Sequence, residues 1–63
     1  MLTADTITDE QIKALRDRAL LGGDYSTAQS CTDARLHDSR RVRSAARARC
    51  AEILNARAAA EAK

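Results

Sequence analysis

Between Arg40 and Ala60 the chain contains neither glycine nor proline and consists largely of alanine and arginine, with leucine and glutamate among the rest. Nothing there interrupts backbone hydrogen bonding, and these residue types are among the strongest helix formers. At about 1.5 Å of rise per residue the stretch makes a helix about 30 Å long. In a chain of 63 residues such an element dominates the fold and leaves room for a single domain, residues 1–63, whose other parts must pack along it. Val42, Ala46, Cys50, Ile53 and Leu54 form its apolar stripe, at the spacing that turns one helix face toward a core. Arg40, Arg43 and Arg47 fall together on the flank of that stripe. Arg49 and Arg57 land inside or beside it. Either their stems lie along the core with the charge at the surface, or that part of the helix faces a partner.

The rest of the chain is punctuated for two shorter helices. Thr8 and Gln11 have the spacing of a capping box, flanked by Ile7 and Ile12 as a hydrophobic staple. Asp9 and Glu10 occupy the first turn, where the helix dipole favours anions. Ile12, Leu15 and Ala19 then share a face, with Leu20 beside them, until Gly22-Gly23 supplies a left-handed closing residue. The spacing predicts a helix over residues 9–21, preceded by a frayed segment over residues 1–7. Asp24 is placed to cap a second helix over residues 25–36, with Tyr25 at its start and Ala28, Cys31, Thr32 and Leu36 at helical spacing. Ser26, Thr27, Ser30 and Thr32 are poor helix formers, so this helix depends on its neighbours. His37-Asp38-Ser39 makes the second break, with Asp38 or Ser39 capping the third helix over residues 40–60. Both turns are short, so consecutive helices run back on each other. The expected fold is all-α, a small three-helix bundle with a long third helix.

Composition limits how firmly that bundle holds together. Half of its 44% of apolar residues is alanine, and the only aromatic side chain is Tyr25. The large apolar residues are Met1, Leu2, Ile7, Ile12, Leu15, Leu20, Leu21, Tyr25, Leu36, Val42, Ile53 and Leu54. At roughly 1.5–3 kcal/mol for each one fully buried, they barely offset the entropy of ordering the backbone. Close alanine-lined packing, a cross-link, a second copy of the chain forming a homodimer, or another partner would each supply what the core lacks.

The chemistry-bearing residues exclude more than they suggest. His37-Asp38-Ser39 contains the residue types of a hydrolase triad, but three consecutive turn residues cannot line up nucleophile, base and orienting acid. Asp9 and Glu10 sit in an exposed first turn that offers nothing to raise a carboxyl pKa. No enzyme and no cofactor are expected. Cys31 and Cys50 fall on apolar faces of adjacent helices, where they are two small buried hydrophobes or the halves of a disulfide bracing the core. Zinc is disfavoured, because His37 is the only other strong ligand and there is no CxxC pair, so no metal site is expected. The amino terminus lacks a basic region followed by an apolar run, and no stretch is apolar enough to span a membrane. An interfacial helix lacks aromatic anchors. The default compartment is the cytoplasm, where thiols stay reduced.

Charge is the one uneven property. Residues 1–32 carry three cations against five acids, and residues 33–63 carry eight against four, seven of those eight being arginine. Arg40, Arg41 and Arg43 occupy the first turn of the third helix, where the dipole disfavours cations by roughly 0.3–1 kcal/mol each. Arginine suits bidentate contacts with phosphate and carboxylate. A short helix, a tight turn and a basic helix is also the outline of a helix-turn-helix, whose second helix offers its first residues to the DNA major groove. Three readings stand beside each other: a solvated face, duplex-DNA binding through Arg40, Arg41, Arg43 and Arg47, and contact with a protein or nucleoprotein partner through the same residues.

The frame Ile7-Thr8-Asp9-Glu10-Gln11-Ile12, Leu15-Arg16, Gly23-Asp24, Cys31, Ala34, Ala48-Arg49-Cys50-Ala51 and Ile53 resembles a loose group of short helical reading frames from bacterial phages and mobile elements. The likeness covers residues 7–57, and its motifs are mostly helix punctuation. The group often has Gly-Asp at the second turn, where this chain has His37-Asp38. Some small helical proteins from such settings are similar in size and are anti-CRISPR or anti-restriction inhibitors, which act by covering a surface of a host defence complex. The resemblance implies a non-catalytic interaction protein in the cytoplasm of a bacterial host, and it carries over no functional residue. The alternative is a small helix-turn-helix-type DNA-binding domain.

Overall fold

Thr8, Asp24 and Ser39 each accept a hydrogen bond from a backbone N–H three residues ahead, and each opens a helix. In the computed structural model, which describes residues 1–62, these helices are α1 (Asp9–Leu21), α2 (Tyr25–Leu36) and α3 (Arg40–Glu61). The Thr8 hydroxyl takes the Gln11 N–H at 3.2 Å while the Gln11 side chain takes the Thr8 N–H at 2.8 Å, closing the capping box. Ile7 and Ile12 are both buried on either side of it. Asp24 accepts both the backbone N–H and the hydroxyl of Thr27, at 3.1 and 2.6 Å. That bond lets Thr27 be buried at a polar position, since a buried hydroxyl needs a partner.

The α1–α2 turn is a Schellman closure. Asp24 N–H bonds to the Ala19 carbonyl at 2.8 Å and Gly23 N–H to the Leu20 carbonyl at 3.2 Å. Gly23 has φ 75°, whereas Gly22 has φ −88°. A Cβ on Gly23 would meet nothing within 4 Å, so Gly23→Ala is expected to cost about 1–2 kcal/mol through backbone conformation alone. Gly22→Ala, in helical geometry with only ordinary contacts, is expected to be neutral or slightly stabilising. Paired urea denaturation curves check the contrast.

The amino-terminal segment departs from the expectation that residues 1–7 are frayed. Residues Thr3 to Ile7 form a turn in which Ile7 N–H and Thr6 N–H both bond to the Thr3 carbonyl, at 3.0 and 3.2 Å. Leu2 is clipped to α3 by the Asn55 amide, which accepts the Leu2 N–H at 2.9 Å and donates to its carbonyl at 2.8 Å. The Leu2 side chain packs against the core and Ile7 is part of it. The segment is a strap laid across α3. Its anchoring apolar residues, Leu2 and Ile7, are too few to produce a periodic signal.

The core joins Ile7 of the strap to Ile12 and Leu15 of α1, Cys31 and Ala34 of α2, and Ala46, Cys50 and Ala51 of α3, with Ile53 and Leu54 half-buried beside it. Small residues dominate the α2 and α3 contributions, which lets these two helices approach closely. α2 is central and packs along both other helices, while α1 and α3 touch only sparsely. The result is a flattened bundle measuring 38 × 25 × 16 Å between Cα extremes, its long axis set by α3. Two residues expected on inner faces point outward: Leu20 and Leu36 are exposed, as are Leu21 and Tyr25. α2 turns Thr27, Ala28, Cys31 and Ala34 inward instead. Among the described residues no helix is long and apolar enough to cross a membrane.

Candidate functional site

The basic end of α3 is positioned by its cap. The Ser39 hydroxyl accepts the Val42 N–H at 3.4 Å, and the Ser39 N–H donates to Nδ1 of His37 at 3.0 Å. This fixes the turn and places Arg40, Arg41, Arg43 and Arg47 on the first two turns of the helix. The four guanidiniums then divide into two pairs.

Arg43 and Arg47 are committed within the fold. Nη1 of Arg43 donates to the main-chain carbonyls of His37 and Asp38, the second at 3.1 Å. His37 is the C-cap of α2, so the charge of Arg43 lies at a helix end where the dipole favours cations. Its disadvantage at the start of α3 is thereby offset. Arg47 spans the strap: Nε donates to the Ala4 carbonyl at 3.2 Å, Nη2 to the Ile7 carbonyl, and Nη1 to Asp9 Oδ1 at 3.0 Å. Arg43 and Arg47, expected as partner contacts, thus also have a place inside the fold. Both satisfy backbone carbonyls left open by neighbouring segments, which is a folding role.

Arg40 and Arg41 are exposed, and among the described residues neither has an ion pair or a side-chain hydrogen bond. Arg40 stands with Arg43, Ser44 and Arg47 along one wall of a shallow groove of about 260 Å³ whose other side is Ala4 and Asp5 of the strap. Thus the structure gathers Arg40, Arg43 and Arg47 at one place, as their spacing implied, and leaves Arg41 outside the groove. The free N–H groups of Arg40 and the dipole of α3 both make this end electropositive. Asp5 limits how many negative charges the groove itself can take.

Two further arginines lie partly inside. Nε of Arg35 and Nη1 of Arg57 are shielded and have no hydrogen-bond partner among the described residues. Arg57 is half-buried with part of its charged head shielded, which differs from a stem on the core with its charge at the surface, whereas Arg49 is exposed. Asp24 is held below the usual carboxylate range by the Thr27 hydroxyl and N–H it accepts, with Arg57 and Arg49 adding to the effect. Asn55, the clip on Leu2, carries no signal that would distinguish it in sequence from any other polar helix residue.

The chain matches no family model, no curated protein and no solved structure.

Proposed function

We propose that the chain is a non-catalytic interaction module that docks the amino-terminal end of α3 on an anionic surface of a macromolecular partner. Arg40 and Arg41 are the contact residues, with Arg43 at the groove wall. One observation carries this reading: of the arginines crowded at that helix end, Arg40 and Arg41 alone lack any internal partner among the described residues. Their placement costs the fold roughly 0.3–1 kcal/mol each, and a partner's carboxylates or phosphates would reverse the sign. A nucleoprotein defence complex of a bacterial host is the partner class consistent with the resemblance to phage and mobile-element proteins, which makes the chain an inhibitor that acts by covering a surface.

The second reading, a helix-turn-helix-type DNA-binding domain, is favoured by the three-residue break between α2 and α3 and by exposure of the first turn of α3. It is weakened by the commitment of Arg43 and Arg47. Affinity for duplex DNA falls with salt with a log–log slope of about −0.9 per phosphate neutralised, and two free arginines give a shallow dependence and weak binding.

The two readings separate in one experiment. Immobilised wild type and Arg40→Glu/Arg41→Glu are exposed to purified CRISPR and restriction nuclease complexes and to duplex DNA at two salt concentrations. The expected result is binding to a nuclease complex that the double substitution weakens at least tenfold, about 1.4 kcal/mol, with little binding to DNA. Equal binding by both forms removes the arginine face from the account. Tight, steeply salt-dependent DNA binding transfers the function to the second reading.

A further inference from the structure

Cys31 in the middle of α2 and Cys50 in the middle of α3 meet at the centre of the core, each 0% exposed, with their Sγ atoms 3.7 Å apart. Both are free thiols. No other side chain separates them, and closing to the disulfide length of about 2.0 Å requires the sulfurs to approach by less than one carbon–carbon contact radius. Among the described residues no group of three ligating side chains is placed to hold a metal ion, so the pair is not part of a larger ligand set. We propose that Cys31 and Cys50 are a modification site, an intramolecular disulfide that staples α2 to α3 and fits the native fold.

The chemistry is thiol–disulfide exchange with a small disulfide such as oxidised glutathione. Burial pushes the Cys31 thiol up to about 12, with the neighbouring Cys50 adding to the rise. Burial raises Cys50 too, against the Cys31 hydrogen bond, Arg47 and Arg49, so both thiols stay protonated while the core is closed. When α3 opens from α2 and the thiols meet solvent, the Cys50 thiolate attacks one glutathione sulfur. The glutathione S–S bond breaks and one glutathione leaves as a thiolate that takes up a proton. Cys31, deprotonated in turn, attacks Cys50 Sγ and expels the second glutathione. Overall, two protein thiols lose two hydrogens and one glutathione disulfide becomes two glutathiones. A glutathione moiety cannot remain on Cys50 in a core position with no exposure, so refolding drives the second step. The step requires local opening of the α2–α3 contact, the kind of sub-global fluctuation through which buried groups reach solvent.

Linkage supplies the test. A disulfide that fits the native fold is stabilised by folding to the same extent that it stabilises the fold. Wild-type protein is equilibrated with graded ratios of reduced to oxidised glutathione, in buffer and in denaturing urea, then acid-quenched and weighed by mass spectrometry. The expected product in buffer is monomer that has lost two hydrogens. Reducing it should require at least tenfold more reduced glutathione in buffer than in urea, and its Tm should exceed that of the thiol form by on the order of 10 °C. A ratio at or below one, a stable glutathione adduct in buffer, or a lower Tm for the bridged form overturns the proposal. In that case the sulfurs are only two well-packed small side chains.

Discussion

Replacing Leu15 with alanine is expected to lower the melting temperature by roughly 10–30 °C, the largest single-residue effect in the molecule. Leu15 is one of four largest fully buried side chains, with Ile12, Cys31 and Cys50, and two of those four are cysteines. Leucine-to-alanine changes at such sites cost about 2–5 kcal/mol, with the cavity left behind adding to the lost transfer energy. A domain of this size has about 3–9 kcal/mol in total, so one substitution removes a large fraction. The control is Leu21→Ala. Leu21 is 89% exposed, and its loss should change stability by no more than about 0.5 kcal/mol. Circular dichroism melts of both variants check the contrast. Equal effects would mean that the hydrophobic face of α1 is assigned wrongly.

Arg47→Ala is expected to cost about 2–3 kcal/mol, although it removes a surface cation from a basic helix. The ion pair with Asp9 contributes little of this, because the partners are 25% and 65% exposed and solvent screens them. Asp9→Asn should therefore cost less than about 1 kcal/mol. The larger share comes from the carbonyls of Ala4 and Ile7, which lose a charged donor in a half-buried setting and release the strap that carries Leu2 and Ile7 over the core. Arg47→Lys should recover less than half of the loss, since an ammonium cannot span three acceptors as a planar guanidinium does. Urea denaturation of the three variants gives the ranking. Hydrogen exchange at Ile7 should speed up in Arg47→Ala well before global unfolding.

What the sequence made legible was whatever is encoded locally. Thr8-Gln11, Gly22-Gly23 and Asp24 act within one turn of themselves, and each does in the structure what its chemistry implies. The long α3 was legible for the same reason, because nothing between Arg40 and Ala60 opposes it. Leu20 lies about 100° round α1 from Ala19, off the buried face made by Ile12, Leu15 and Ala19. Leu36 was misplaced because alanine and cysteine fill the α2–α3 contact and α2 turns its smaller residues inward. The strap was invisible because its attachment joins residues far apart in the chain, Leu2 to Asn55 and Ala4, Ile7 and Asp9 to Arg47.

The candidate site was half legible. Helical spacing correctly gathered Arg40, Arg43 and Arg47, but spacing says nothing of what each guanidinium touches. The crowding of charge at the start of α3 has two separate explanations. Arg43 is matched to the carboxyl end of α2 and Arg47 to the strap, while Arg40 and Arg41 are matched to nothing inside the fold.

That division is tested most directly by comparing the thermal melts of two double variants, Arg40→Ala/Arg41→Ala and Arg43→Ala/Arg47→Ala. The first should melt within a few degrees of wild type or slightly above it, because a dipole penalty is removed and no bond is lost. The second should melt lower by more than about 10 °C. Equal losses in the two, or a stable Arg43→Ala/Arg47→Ala, would contradict the assignment of one pair to folding and the other to a partner.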